Sequence, residues 1–271
     1  MTVFPSLKDK CEYYRSKTDI KLEHNSYTMV MLDGRSFSKK IKKKYKLPFD
    51  DTLIEMMNQV AVYVCKNVQG CKVGYVQSDE ISLVITDFET PEDSLFFGGR
   101  LVKMLSIIPS LATGEFNRLA IMNGIPVSDG HVACSADDIL GMIAEYDPVQ
   151  FDAKVWQVPN LNDCYAWFLY RQIDCIRNSK QQHAQYYLSH NQLVGKDCDE
   201  QVKMVLDQEG VDWNDYDPGK KFGRFIWRED EQFQNDSVEY TRSVWRAYPG
   251  WDLKTAEGKE KLISLIPDNN K

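Results

Sequence analysis

Two short stretches, each carrying an aspartate at the end of an apolar run, constrain this chain more than any other feature. Residues 28–32 (TMVML) are β-branched and apolar, the pattern of a buried strand. The run stops at Asp33-Gly34, after which the text turns basic and helical. Glycine at 34 lets the backbone turn sharply and leaves its carbonyl and amide open to a ligand. The second stretch, GYVQSDEISLVIT, reads as a hairpin with Ser78, Asp79 and Glu80 at its turn. Two carboxylates at the ends of neighbouring strands repel unless a divalent cation lies between them. Mg²⁺ favours one or two carboxylates, several waters and substrate phosphates, and two such ions can clamp a phosphoryl transfer.

The rest of the composition narrows the class. The 271 residues suffice for one large domain or two intimate ones with a substantial core. No stretch approaches the roughly 18 apolar residues of a membrane span, and the N-terminus lacks the apolar core of a signal peptide. The cysteines (Cys11, Cys65, Cys71, Cys134, Cys164, Cys175, Cys198) are odd in number and form no CxxC pair. His24, His131, His183 and His190 show no zinc-ligand spacing. A reduced, cytoplasmic protein without zinc or membrane attachment is expected.

A net charge of −7 does not advertise a nucleic-acid binder, but the basic residues are clustered. Lys39, Lys40, Lys42, Lys43, Lys44 and Lys46 fall within eight positions, just beyond Asp33. Lys220, Lys221, Arg224 and Arg228 form a second group. Each group is either a solvated face or a phosphate-binding surface.

In order, helix is expected over 1–24, strand at 28–32, helix over 36–44, a turn at KLPFDD, and helix over 52–67. The hairpin follows, then a helix over 97–116 with Pro109 as a kink. Residues 117–150 read as an elaborated loop with a short helix at 137–143, and 151–159 as a strand. That order matches an α+β, βαββαβ arrangement, an antiparallel sheet with helices on one face. Residues 164–188 form a long helix rich in Arg, Gln and aromatics; another helix starts at Asp199, and a charged tail runs from 229. Residues 1–159 thus read as a catalytic region and 160–271 as a helical region, packed as one body.

The motifs MLDGRSF, GYVQSDEISLVIT, FDAKVWQVPN, RQIDCIRNSK, LVGK and NDYDPGKKFGR occur here in the order seen in tRNA-His guanylyltransferases. The chain most resembles that family's 3′–5′ polymerase-like branch, over about residues 1–228 apart from 117–150. The resemblance implies a polymerase-palm-like sheet with a fingers-like helical region, nucleotide addition to the 5′ end of tRNA, and a homotetramer. It also implies two Mg²⁺ ions held by Asp33, the Gly34 carbonyl and Asp79, with Glu80 beside them in the catalytic set. Arg35, Ser36, Phe37 and Ser38 would offer helix N-terminal amides to a triphosphate, with Ser78, Asn178, Ser179 and Lys196 as further nucleotide contacts. Phe37 reads equally as core. Lys220, Lys221 and Arg224 would meet RNA, as would Arg171 unless it pairs with Asp174 one turn on.

One departure stands out. Family members that recognise tRNA-His carry His-Ile-Asn-Asn on the long helix, where this chain has Ile176-Arg177-Asn178-Ser179. The missing histidine favours template-dependent repair of tRNA 5′ ends with ATP activation over tRNA-His-specific guanylylation. A nucleotidyl cyclase, needing only NTP, is a further alternative, and an RNA-binding module with a decayed palm is disfavoured by intact Asp33, Gly34, Asp79 and Glu80.

Overall fold

The computed structural model describes residues 4–41, 45–90, 92–124, 126–128, 131–235 and 238–269. Lys42, Lys43 and Lys44 of the basic run lie outside them, as does the side chain of Ser38. The first half runs α1 (Leu7–Ser16), β1 (Tyr27–Gly34), α2 (Phe37–Ile41), α3 (Asp51–Asn67), β2 (Cys71–Gln77), β3 (Glu80–Ile85) and α4 (Leu101–Gly124). A short pair follows, β4 (Val127–Ser128) and β5 (His131–Val132), then α5 (Ala136–Glu145) and β6 (Phe151–Val158). The second half is α6 (Leu161–Tyr187), α7 (His190–Leu193), α8 (Cys198–Glu209), α9 (Pro218–Phe222), β7 (Arg224–Asn235), β8 (Val238–Pro249) and α10 (Ala256–Ser264).

The apolar run of β1 is buried because it is paired on both edges and covered on both faces. It lies antiparallel to β3 (Leu32 opposite Ile81) and to β6 (Asp33 opposite Asp152). The sheet order is β6-β1-β3-β2-β7-β8, with antiparallel pairing throughout. Side chains alternate across the strand. Val30, Leu32, Ile81 and Leu83 meet Met56, Val60 and Val64 of α3 and Ile108 and Phe116 of α4. Tyr27, Met29, Tyr75 and Phe225 meet Cys164, Phe168 and Cys175 of α6 on the other face. Helices therefore cover both faces, correcting the expectation of one. The apolar stripe of α6, read from sequence as a nucleotide-binding helix, needed a second face of the sheet to bury it.

Local signals explain the helix starts. Asp50 Oδ1 accepts from the Leu53 amide at 2.9 Å to cap α3, and Asn160 Oδ1 accepts from Asp163 at 3.0 Å to cap α6. The helix expected over 97–116 starts later, at Leu101, because Phe97 and Gly98 adopt positive φ (54° and 61°), and it runs on to Gly124 with Pro109 inside. The helix expected over 1–24 shortens to α1, none of whose residues is buried.

The charged tail is the larger correction. β7 and β8 pair antiparallel as two 12-residue strands that extend the sheet beyond β2. Arg228, Glu229, Asp230 and Glu231 hide its two-residue period in sequence. In the structure the charges pair across strands: Arg246 donates to Glu231 at 2.7 and 2.9 Å. β7 also joins the two halves, since Val73 pairs with Trp227 and Val76 with Arg224.

Candidate active site

Strand pairing brings the two aspartates together. Leu32 faces Ile81, so Asp33 at the end of β1 reaches the turn Ser78-Asp79 that joins β2 to β3. That turn is tight: Gln77 and Glu80 pair across it, and Ser78 has φ 46°, a left-handed conformation costly for serine. Gly34 is required where it stands, because a Cβ there would lie 2.8 Å from Oδ2 of Asp79. The carboxylate thus rests against bare backbone.

The electrostatics of the pair are unfavourable without a cation. Burial pushes the Asp79 carboxyl up to about 6, with repulsion from Asp33 and Glu80 added and a Ser78 hydroxyl bond at 3.0 Å opposing. Asp33 is also raised, by burial and then by Asp152, with Lys154 and Arg171 pulling the other way. Among the described residues no three His, Cys, Asp or Glu side chains gather as a ready-made metal centre. Two carboxylates and a carbonyl against a glycine cradle fit Mg²⁺, which leaves the rest of its shell to water and phosphate.

Glu80 is held away from open chemistry. Arg171, a buried residue of α6, donates to Glu80 and, at 3.0 Å, to Asp174, while Gln77 donates to Glu80 at 2.9 Å. Asp174 also accepts from Arg177 and, at 3.3 Å, from Asn178. This network fastens α6 to the hairpin turn, and removing one member would leave a buried charge uncompensated. Arg171 is therefore not an open RNA contact. Its Nη2 is committed to Glu80 and Asp174, while its buried Nε has no partner among the described residues.

Gln77 and Ser78 line a cleft of about 350 Å³ that lies between the 45–50 loop, α6 and α9; Asp33, Gly34, Asp79 and Glu80 are not among its lining residues. Of the residues expected to contact nucleotide, Phe37, Ser78, Asn178 and Ser179 line it, and so does Lys220, which was expected to meet RNA. Phe37 is also core, its ring 5.3 Å from Phe116. Ser179 is buried and its hydroxyl accepts from Trp213 at 2.9 Å. Tyr45, Phe49, Gln77 and Gln182 were not anticipated from sequence. The only signal was the amide-rich text of α6.

Other expected residues are placed elsewhere. The Arg35 amide donates to the Gln150 carbonyl at 2.8 Å and is not open to a triphosphate. Ser36 has φ 54° and precedes α2, and its carbonyl accepts from Lys39 and Lys40. Lys196 is exposed in the turn between α7 and α8 and does not line the cleft. Lys221 donates to the Asn214 carbonyl and Lys220 pairs with Asp51 at 2.7 Å.

Arg224 reverses its expected role most fully. It is buried, 7% exposed, with Nε donating to Asn58 at 2.9 Å and Nη1 to the Gly219 carbonyl at 3.3 Å. Among the described residues Nη2 has no partner, and the side chain lines the cleft. Burial lowers its pKa, yet arginine stays charged at neutral pH. Among the described residues it makes no ion pair, and Glu55 and Asp217 act on it through space.

A carboxylate pair over a glycine, flanked by a cleft of small-ligand size, is equipment for metal-assisted transfer of phosphoryl or nucleotidyl groups. Comparison with known proteins gives the family. The tRNAHis guanylyltransferase profile matches residues 9–159, more than half of the chain. A probable tRNA(His) guanylyltransferase of Dictyostelium discoideum is 26% identical over 253 residues, spanning 88% of this chain and 89% of that protein. An uncharacterized protein, R259, of Acanthamoeba polyphaga mimivirus is 25% identical over 228 residues, 80% of this chain and 75% of its own. A bacterial tRNA(His) guanylyltransferase-like protein in complex with ATP superposes with a TM-score of 0.79 at 24% identity, covering 96% of this chain and 99% of that one. The chain belongs to the tRNAHis guanylyltransferase family and is a nucleotidyltransferase.

Proposed function

We propose that this enzyme adds nucleotides in the 3′–5′ direction to the 5′ end of tRNA, directed by the opposite strand. In the first step a 5′-monophosphate end attacks ATP and releases pyrophosphate, giving an adenylated end. In the second, the 3′-hydroxyl of an incoming NTP attacks the 5′ phosphate and releases AMP, leaving a new 5′-triphosphate. The carrying observation is the Asp33–Asp79 pair on Gly34, next in sequence to Ser78, which lines a cleft together with Asn178 and Arg224.

Asp33, Asp79 and the Gly34 carbonyl would hold Mg²⁺. When bound, Mg²⁺ supplies Lewis acidity at the attacking hydroxyl and the leaving oxygens. Arg171 and Gln77 fix Glu80 and with it the turn that carries Asp79. The cleft takes the NTP, with Ser78, Asn178 and Ser179 along it. Lys220 and Lys221 are the RNA-facing residues of the basic loop. On this reading 1–159 supplies the palm-like chemistry and 160–271 the fingers-like contacts. The enzyme works in the cytoplasm as a homotetramer, which agrees with an α1 that displays Leu7 and Tyr14 to solvent.

Ile176 supports repair over tRNA-His specificity, since an apolar side chain cannot hydrogen-bond a base edge. Without that hydrogen bond, discrimination weakens more than chemistry. The test sets full-length tRNA-His beside unrelated tRNAs shortened by one 5′ nucleotide, with Mg²⁺ and all four NTPs. Efficient refilling of the shortened set, with the NTP dictated by the opposing base, is expected. Strong preference for G addition to full-length tRNA-His would return the enzyme to the activity named for its Dictyostelium relative. NTP-only product without RNA would make it a cyclase.

A further inference from the structure

The carboxylate pair separates two unlike surfaces, and only one has been assigned a ligand. On the far side from the cleft, β6 is an edge strand whose α6-facing residues step away from the pair in register. Asp152 lies opposite Asp33, Lys154 opposite Met31 and Trp156 opposite Met29, about 7 Å per step. Asp152 and Lys154 are exposed, and Met31 and Trp156 half-buried. This part of the sheet is open.

An aromatic row borders it. Trp156 and Trp167 stand with centroids 4.5 Å apart, and Trp167 and Tyr170 at 5.8 Å. Trp167 is locked, its indole N–H donating to Ser82 at 3.1 Å, and Ser82 pairs with Met31. Arg171 sits 5.2 Å from the Tyr170 ring while its guanidinium holds Glu80, so the row ends at the catalytic turn. Tyr170 is nonetheless 58% exposed. Its ring packs on Trp167 and Arg171 along one side and leaves the other bare.

Resting on the reading above, we infer that Trp156, Trp167 and Tyr170 form a stacking shelf for unpaired nucleobases of the RNA end being extended. Nucleotidyl transfer brings two reactants to one carboxylate pair. The NTP is small enough for the cleft, whereas RNA is a polymer that must leave across an open surface. Aromatic rings are what an unpaired base stacks on, with little regard to its identity. The charges here are mixed, Lys154 and Arg177 against Asp152 and Asp174, so stacking rather than phosphate attraction carries the contact. Its contribution is therefore nearly independent of salt, unlike that of a basic patch.

The test uses the full-length enzyme and two versions of one tRNA. In one, the 5′ nucleotide is removed so that the opposing acceptor-stem base is unpaired; in the other it is paired. With 2-aminopurine at that position, wild type should quench its fluorescence on binding the shortened RNA. Tyr170→Ala should lose much of the quench and bind the shortened RNA at least about fivefold more weakly, with the salt slope and ATP affinity unchanged. Tyr170→Phe should restore both. Equal affinity and quench in Tyr170→Ala would overturn the shelf. So would an unchanged RNA affinity accompanied by a shift in sedimentation, which would make the surface a contact between copies. Extension activity is read separately: a wild type that stacks the base but never extends it sinks the repair reading and leaves the shelf standing.

Discussion

The two carboxylates of the site belong to two different environments. Asp79 sits in a tight turn whose Ser78 lines a cleft, and burial drives its carboxyl up to about 6. Asp33 ends a strand beside an open edge, where Asp152, Lys154 and Arg171 modulate a smaller burial effect. The closed side can strip a small ligand of water and strengthen every polar contact to it. The open side can admit a chain of any length. A pair placed at the boundary suits a reaction between one small and one large partner, and the following experiments try that division.

The largest effect should come from the boundary itself. Asp33→Asn and Asp79→Asn should each cut nucleotide addition by about 10³-fold or more, since metal-borne charge stabilisation amounts to several kcal/mol. Gly34→Ala should come close behind, because its Cβ would lie 2.8 Å from the Asp79 carboxylate oxygen and displace it. Wild-type extension by any folded member of this set would show that the reaction is centred elsewhere.

Next is stability, where the two aspartates should differ. The folded Asp79 carboxyl binds its proton more tightly than the unfolded one, so stability falls as pH rises from about 4 to about 6. Lifting it from 3.8 to about 6 corresponds to at most about 3 kcal/mol. Asp79→Asn should therefore melt higher than wild type above pH 6 in metal-free buffer, the gain vanishing near pH 4. Asp33→Asn should gain less. Equal gains, or none, in thermal melts across that pH range would remove the asymmetry between closed and open sides.

The sequence made the boundary legible and the two sides much less so. Asp33-Gly34 and Ser78-Asp79 could be placed because strand ends and turns are written in local residue types. The cleft could not, since Phe49, Gln182 and Arg224 lie far apart in sequence and meet only when α6, α9 and the 45–50 loop pack. Arg224 reads as a surface cation inside Lys-Lys-Phe-Gly-Arg, and only its pairing opposite Val76 buries it. Arg171 likewise reads as a helix ion pair with Asp174, correct as far as it goes, while its bond to Glu80 spans the sheet. The β7–β8 pairing was obscured because a run of consecutive charges, 228–231, looks the same on a paired ribbon as on a solvated tail.

The third experiment sharpens the closed side. Arg224→Met keeps the bulk of the side chain and removes the buried charge, but it leaves Asn58 and the Gly219 carbonyl without their donor, so the fold should lose about 1–2 kcal/mol. NTP affinity should fall about tenfold, as expected when a hydrogen bond from a charged group is removed, with tRNA affinity unchanged. Titration of each ligand separately decides it. A loss confined to tRNA would exchange the roles of cleft and shelf.

The smallest effect should be at the basic loop, which lies on the cleft side of the boundary. Counterion release predicts a drop of about 0.9 in the salt slope for each phosphate that is no longer neutralised. Lys220 is already paired with Asp51, and Lys221 is committed to the Asn214 carbonyl and lies 5.7 Å from the Trp213 ring. RNA must compete with those partners, so each lysine should neutralise its phosphate only in part. Lys220→Ala with Lys221→Ala should weaken tRNA binding about twofold and lower the slope by less than about one in total. A drop near two would mean that both side chains swing free to meet phosphate, and that RNA reaches across the cleft mouth as well as the open edge. No change at all would confine RNA to the open side and leave the loop to the nucleotide.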